Sequence, residues 1–288
     1  MKKKLLVTGA GGQLGSEIGV LSKHYPSFEF VFVDKDEMPL DEPEKIGAFI
    51  QEVRPDWCIS CGAYTAVDKA ETETALAYTI NGEAAGAIAA GCKAIGAKLI
   101  HISTDYVFDG NSAIPLKEDD PTGPINVYGA SKLEGEQLAL KENPETVIIR
   151  TAWVYSEFGN NFVKTMMRLM KEKPSLTVIE DQVGSPTYAA DLAAVILHIV
   201  SSTSWAPGIY HYSNEGRISW YEFALAIKEI TGSACPVSPI LTSQYPTAAK
   251  RPHYSLLDKS KIKSTYGIEV PDWRKSLHTC IRRLSANV

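Results

Sequence analysis

Tyr128 and Lys132 stand four apart in Tyr128-Gly129-Ala130-Ser131-Lys132, the spacing that sets two side chains on one face of a helix. A free phenol titrates near about 10 and keeps its proton at neutral pH, whereas a neighbouring ammonium favours the phenolate and lowers that value. A phenol tuned in this way can hand its proton to an oxygen that is gaining charge. The spacing alone recurs by chance and gains weight from what precedes it. Ser103-Thr104-Asp105 follows an apolar run, and Thr104 there could hydrogen-bond both the phenol and the oxygen being protonated. A plain turn or helix cap is the alternative for that threonine. Earlier still, Thr8–Gly15 carries glycines at 9, 12 and 15 in a GxxGxxG pattern. Glycine at those places allows a sharp turn, close backbone approach to a pyrophosphate and tight helix packing, with the helix N-terminus offering N–H groups to the phosphates. Asp34 ends the next apolar run and could accept from an adenosine ribose 2′-OH, which favours NADH. Lys35 beside it could favour NADPH instead. A GxxxxGK[ST] pattern is absent, which argues against a nucleotide triphosphatase.

These residues need a scaffold that brings them to one edge. Leu5–Val7, Phe28–Val33, Trp57–Ser60, Lys98–Ile102 and Thr146–Arg150 are short apolar runs and read as strands. Between them lie helix-like stretches, Leu14–His24, a segment opened by Pro43, a long Ala- and Glu-rich stretch Glu71–Ile95, and Asn126–Lys141. Strand and helix alternating in this way predict an α/β fold, a Rossmann-type doubly wound parallel sheet with right-handed crossovers. Continuous apolar runs fit strands buried on both faces. After Arg150 the alternation loosens, and Cys235–Pro252 is rich in Pro and Ser. We therefore expect residues 1–155 to form a NAD(P)-binding domain, with some later segments returning to it, and residues 156–288 to form mainly a smaller C-terminal substrate-binding lobe.

The composition narrows the function. The 288 residues carry a net charge of −5, which offers no general attraction to nucleic acid or an anionic membrane. The N-terminal apolar run Leu5–Val7 is too short for a secretory leader and no stretch is long enough to span a bilayer, so a cytoplasmic protein is expected. Five cysteines at irregular spacing include one CxxC, Cys58 and Cys61, without a second half-site. Buried free thiols are the simpler reading, and the histidines, His101 included, read as structural. No metal is expected.

In TGAGGQLG at 8–15, AYTAVDKAE at 63–71, STDYVFDG at 103–110, NVYGASKLEGE at 126–136, RTAWVY at 150–155, GNNFVKTM at 159–166 and DQVGSPTYAADLA at 181–193, the chain resembles the extended short-chain dehydrogenase/reductase family, over essentially its whole length. Within that family it is most similar to the branch that acts on dTDP-4-keto-6-deoxy sugars. The resemblance implies an NADH- or NADPH-dependent oxidoreductase that reduces the C4 ketone of dTDP-4-dehydro-β-L-rhamnose to dTDP-β-L-rhamnose, a sugar donor for cell-surface polysaccharide. It implies Tyr128, Lys132 and Thr104 as the catalytic set, with Lys132 also on the nicotinamide ribose. It puts Gly9, Gly12, Gln13, Leu14 and Gly15 under the pyrophosphate, Asp34 at the ribose, Leu40 and Asp41 by the adenine, and Ala63, Tyr64 and Thr65 along the cofactor. Thr104, Asp105, Trp153 and Arg251 fall to the nucleotide sugar, Arg251 because a guanidinium matches phosphate oxygens bidentately. A homodimer is left open. Some members dimerise through magnesium held by glutamates; Glu17 stands at one such position but Ala190 at the second, so that bridge is not expected. Ser60-Cys61-Gly62-Ala63 departs from the commoner Asn-Ala-Ala-Ala without touching a named role. Two alternatives share the same residues: a related 4-ketoreductase, 4-epimerase or 4,6-dehydratase, and a non-catalytic regulatory subunit of the methionine adenosyltransferase type. Tyr106 after Asp105 leaves a dehydratase without its usual second acid.

Overall fold

The computed structural model describes residues 2–286. Its centre is a six-stranded, all-parallel sheet in the order β10-β5-β4-β3-β1-β2. The elements run β1 (Lys3–Thr8), α1 (Gln13–Ser22), β2 (Phe28–Val33), α2 (Pro43–Val53), β3 (Trp57–Ser60), α3 (Val67–Ala70), α4 (Thr74–Tyr78), α5 (Ala84–Ile95), β4 (Lys98–Thr104), α6 (Val127–Glu142) and β5 (Val147–Thr151). They continue with β6 (Val154–Tyr155), α7 (Phe162–Glu172), β7 (Leu176–Ile179), β8 (Val183–Gly184), β9 (Thr187–Tyr188), α8 (Ala189–Ser201), β10 (Gly208–His211), β11 (Ile218–Ser219), α9 (Trp220–Thr231), β12 (Val237–Ile240), α10 (Ser260–Tyr266) and α11 (Trp273–Ala286).

Strands such as β3 and β5 are buried along their whole length, because helices cover both faces of the sheet. One face packs Leu5, Val7, Ile59 and Ile149 against α1, α8 and α10. The other packs Leu6, Cys58 and Leu99 against α2, α5 and α6. A separate core of Val163, Met166, Phe223, Ile227, Leu277 and Ile281 joins α7, α9 and α11. The chain thus returns to the sheet after its mid-point: β10 pairs with β5 and α8 lies against α1.

Two differences from the sequence reading have local causes. The long helix expected from Glu71 begins only at Thr74 and is interrupted by a π-helical turn at Thr79–Glu83. Asn81 in that turn spends its carboxamide on neighbouring chain rather than facing solvent. The Pro- and Ser-rich stretch is not wholly irregular either: β12 pairs in parallel with β7, the edge position where Pro239 removes no needed donor.

Candidate active site

From β1 the chain runs to β2 on one side, and β3 lies on the other. Ligands of open parallel sheets bind at the carboxyl ends of the strands where the order reverses in this way. A cleft of about 890 Å³ opens there.

Its floor is the glycine loop. Gly9 has φ of +64°, and a Cβ on it would lie 2.7 Å from Gly62 Cα. A Cβ on Gly15 would lie 2.4 Å from the Gly9 carbonyl oxygen, so Gly15 does not line the cleft but packs beneath it. Gly12 caps α1 with extended backbone and without a side-chain acceptor, and no acidic residue stands in the first turn. The N–H groups of that turn are therefore free for an anion. Gln13 is fixed by the carbonyl of Val154 and by Asn161 Nδ2, which donates to Gln13 Oε1 at 2.9 Å.

At one end stand Asp34, Lys35, Leu40 and Asp41, with Ala63 and Thr65 along the floor. Asp34 Oδ2 accepts from Gly11 N at 2.8 Å and Oδ1 from Lys35 N at 2.9 Å, which ties this carboxylate to the loop. Tyr64 does not line the cleft. Its hydroxyl reaches Glu73 and its backbone N–H and carbonyl are both held by Asn81. Asn81 also donates to Ser131 Oγ at 3.0 Å, so one carboxamide joins the segment after β3 to α6.

At the other end the cleft gathers Thr104, Asp105, Tyr128, Lys132 and Trp153. Asn126 caps α6, its Oδ1 accepting from Gly129 N at 2.7 Å, and Glu71 accepts from Val127 N. These contacts set the rotation of α6 and so the direction of Tyr128. The Tyr106 ring stands edge-on to Tyr128 with centroids 5.5 Å apart. Thr104 Oγ1 donates to Asp105 Oδ1 at 3.0 Å and accepts from Tyr106 N. Lys132 is buried, and its Nζ donates to the Ile102 carbonyl at 2.7 Å.

The electrostatics reverse one expectation. Burial pushes the Tyr128 phenol up to about 12, with a hydrogen bond from Thr104 pulling it back. The four-residue spacing predicts that Lys132 lowers it. Here the ammonium is engaged by the Ile102 backbone carbonyl, and removal of the phenol from water decides the direction. The phenol therefore holds its proton firmly. Burial also pushes Lys132 down to about 8, opposed by the Glu136 carboxylate. Asp105 is pushed up to about 6 by burial, against the hydrogen bond from Thr104, and its Oδ2 is buried without a partner among the described residues.

Arg251 does not line the cleft. It sits at the rim, where its guanidinium grips Asp68 bidentately at 3.1 and 2.7 Å and holds that carboxyl below its usual value.

This chain matches the RmlD substrate binding domain family over residues 3–286. It is 40% identical to the dTDP-4-dehydrorhamnose reductase of Aggregatibacter actinomycetemcomitans, over 95% of this chain and 97% of that one. The dTDP-4-dehydrorhamnose reductase of Bacillus anthracis, solved in complex with NADP, superposes with a TM-score of 0.94 at 38% identity, over 98% of this chain and 100% of that one. A Bacillus subtilis spore coat polysaccharide biosynthesis protein is 41% identical over 98% of both. The chain belongs to the dTDP-4-dehydrorhamnose reductase family.

In this member of the reductase family several cleft residues escaped the sequence reading, Trp220 among them, as did Asn81, which holds the segment after β3. Trp220 lines the cleft; its only sequence signal is the capping box Ser219-x-x-Glu222 that starts α9 beside it. Asn81 is hidden inside an Ala-rich helical pattern. Glu17 is buried and accepts from Ser156 Oγ at 2.6 Å. Glu157 and Arg283 are its charged neighbours. No described helix is long and apolar enough to cross a membrane.

Proposed function

We propose that this chain reduces the C4 ketone of dTDP-4-dehydro-β-L-rhamnose to dTDP-β-L-rhamnose with a nicotinamide dinucleotide as reductant. The observation that carries the reading is the meeting of Tyr128, Lys132, Thr104 and Asp105 in the same cleft as the glycine loop. The glycine loop and the open N-terminus of α1 fit a pyrophosphate, Asp34 or Lys35 its adenosine ribose, and Ala63 and Thr65 the stretch toward the nicotinamide. When bound, the reduced nicotinamide supplies the hydride.

The chain's own residues supply the rest. Tyr128, protonated across the neutral range, donates its proton to the C4 oxygen as charge develops there. Thr104 steadies the phenol and offers its hydroxyl to the same oxygen. Lys132 spends one of its three donors on Ile102 and has two left for the nicotinamide ribose, while its charge favours a phenolate left behind. Asp105, with a free buried oxygen, accepts from a sugar hydroxyl. Trp153 walls the sugar, and Arg251 reaches the diphosphate from the rim.

The test is the loss of near-ultraviolet absorbance from NADH and NADPH with a panel of dTDP-, GDP- and UDP-4-keto-6-deoxy sugars. Oxidation is expected with the dTDP-4-dehydro-β-L-rhamnose substrate, and its failure there overturns the reading. Tyr128→Phe is expected to bind the cofactor as wild type does and to lose most of the rate, by about 10²–10⁴-fold.

A further inference from the structure

Trp153 has φ of +50°, a left-handed backbone state that bulky side chains avoid. Such a state persists only where its surroundings enforce it. Two contacts do so. The Trp220 ring is stacked on the Trp153 ring with centroids 3.7 Å apart and planes within 14°. Gly184 presents bare backbone to the same indole: a Cβ there would lie 3.1 Å from its Cε2 and Cζ2. One small antiparallel ladder delivers both, since Ile218, two residues before Trp220, pairs with Gly184.

Trp220 is itself pinned. It is the first residue of α9, started by the Ser219–Glu222 capping box, and Phe162 leans on it with centroids 4.7 Å apart. Both indoles line the cleft that holds Thr104, Asp105 and Tyr128. Strain at the end of a sheet strand, held by a second aromatic from another lobe, is the arrangement expected of a preformed binding wall.

We propose that Trp220 is a positioning residue for the hexose of the nucleotide sugar. It holds Trp153 in its strained turn, and the paired indoles form an apolar wall for the C–H face of the sugar ring while the hydroxyls turn to Asp105 and Thr104. The inference rests on the proposed function and assigns a role to a residue outside the proton-transfer set.

The test compares wild type with Trp220→Leu, Trp220→Phe and Gly184→Ala. Binding of NADPH, dTDP and dTDP-β-L-rhamnose is measured by calorimetry, with kcat and KM alongside. Trp220→Leu is expected to weaken dTDP-β-L-rhamnose and raise KM by about tenfold, the scale of one aromatic contact, leaving dTDP and NADPH within about twofold. Trp220→Phe keeps a ring in the stack and should restore most of the affinity. Gly184→Ala pushes the same indole from its other contact and should reproduce the selective loss even if Trp220→Leu folds poorly. Near-ultraviolet circular dichroism should lose the coupled indole signal in Trp220→Leu and Trp220→Phe alike. Unchanged affinity for the sugar nucleotide in both Trp220→Leu and Gly184→Ala overturns the proposal, as does equal weakening of dTDP and the sugar nucleotide. If wild type binds neither dTDP nor dTDP-β-L-rhamnose, the proposed function falls first and this inference with it.

Discussion

Glu136 lies one turn beyond Lys132 on α6 and is buried with Arg150, the two side chains only 2% and 3% exposed. Arg150 Nε and Nη2 reach the two carboxylate oxygens at 2.9 and 2.7 Å, Ser103 Oγ donates to the same carboxylate, and the guanidinium also rests on the Phe108 ring. Glu136→Gln keeps the shape and removes the charge, leaving a buried guanidinium without its counterion. Breaking such a pair costs about 3–5 kcal/mol. At about 2 °C per kcal/mol for a chain of this size, the melting temperature should fall by roughly 6–10 °C. A second effect reaches the site. The Glu136 carboxylate is what opposes the desolvation of Lys132, so without it the lysine should lose its proton below its present value of about 8. The alkaline limb of kcat/KM should then move to lower pH. The assay is thermal unfolding of Glu136→Gln, Arg150→Met and the Glu136→Leu/Arg150→Met pair, with pH–rate profiles for those that fold. The double variant should recover much of the loss, since two apolar groups leave no unpaired charge. A single variant melting within about 2 °C of wild type, or a double variant as damaged as the sum of the singles, would refute the reasoning.

Gly15→Ala should weaken NADPH binding by more than about tenfold, read by calorimetry, because its Cβ would press 2.4 Å from the Gly9 carbonyl and spread the loop under the pyrophosphate. The pH profile of kcat/KM should be bell-shaped, falling below about 6 as Asp105 gains a proton and above about 8 as Lys132 loses one; Asp105→Asn should abolish the acid limb and keep the alkaline one. Burial and the neighbouring Glu157 raise Glu17 from 4.5 to about 8, so the folded chain holds a proton there that the unfolded chain releases. Its stabilising contribution is complete below about 4.5 and is lost as pH rises through about 8. Glu17→Gln, which cannot titrate, should therefore gain in melting temperature over wild type from pH 5 to pH 9, and a constant difference would count against the buried proton.

The sequence by itself determined the strands of the sheet, the glycine loop after the first of them and the shared helical face of Tyr128 and Lys132. Each depends on local chemistry: apolar runs for buried parallel strands, glycines where backbone must touch backbone, a four-residue spacing on one helix. Asp34 lines the cleft from the end of β2, as the strand-end position implied, and Leu40 and Ala63 line it as the family resemblance implied. Tertiary structure alone decided what depends on neighbours distant in the chain. The direction of the Tyr128 shift followed from burial, which no spacing reports. Arg251 was turned to the rim by Asp68, and Tyr64 was turned from the cleft by Asn81. Trp220 reached the cleft because the two-residue ladder of β8 with β11 carries it there, against a tryptophan whose own backbone is strained. A sequence records which side chains can do chemistry; desolvation and long-range contact set the pKa and direction with which they do it.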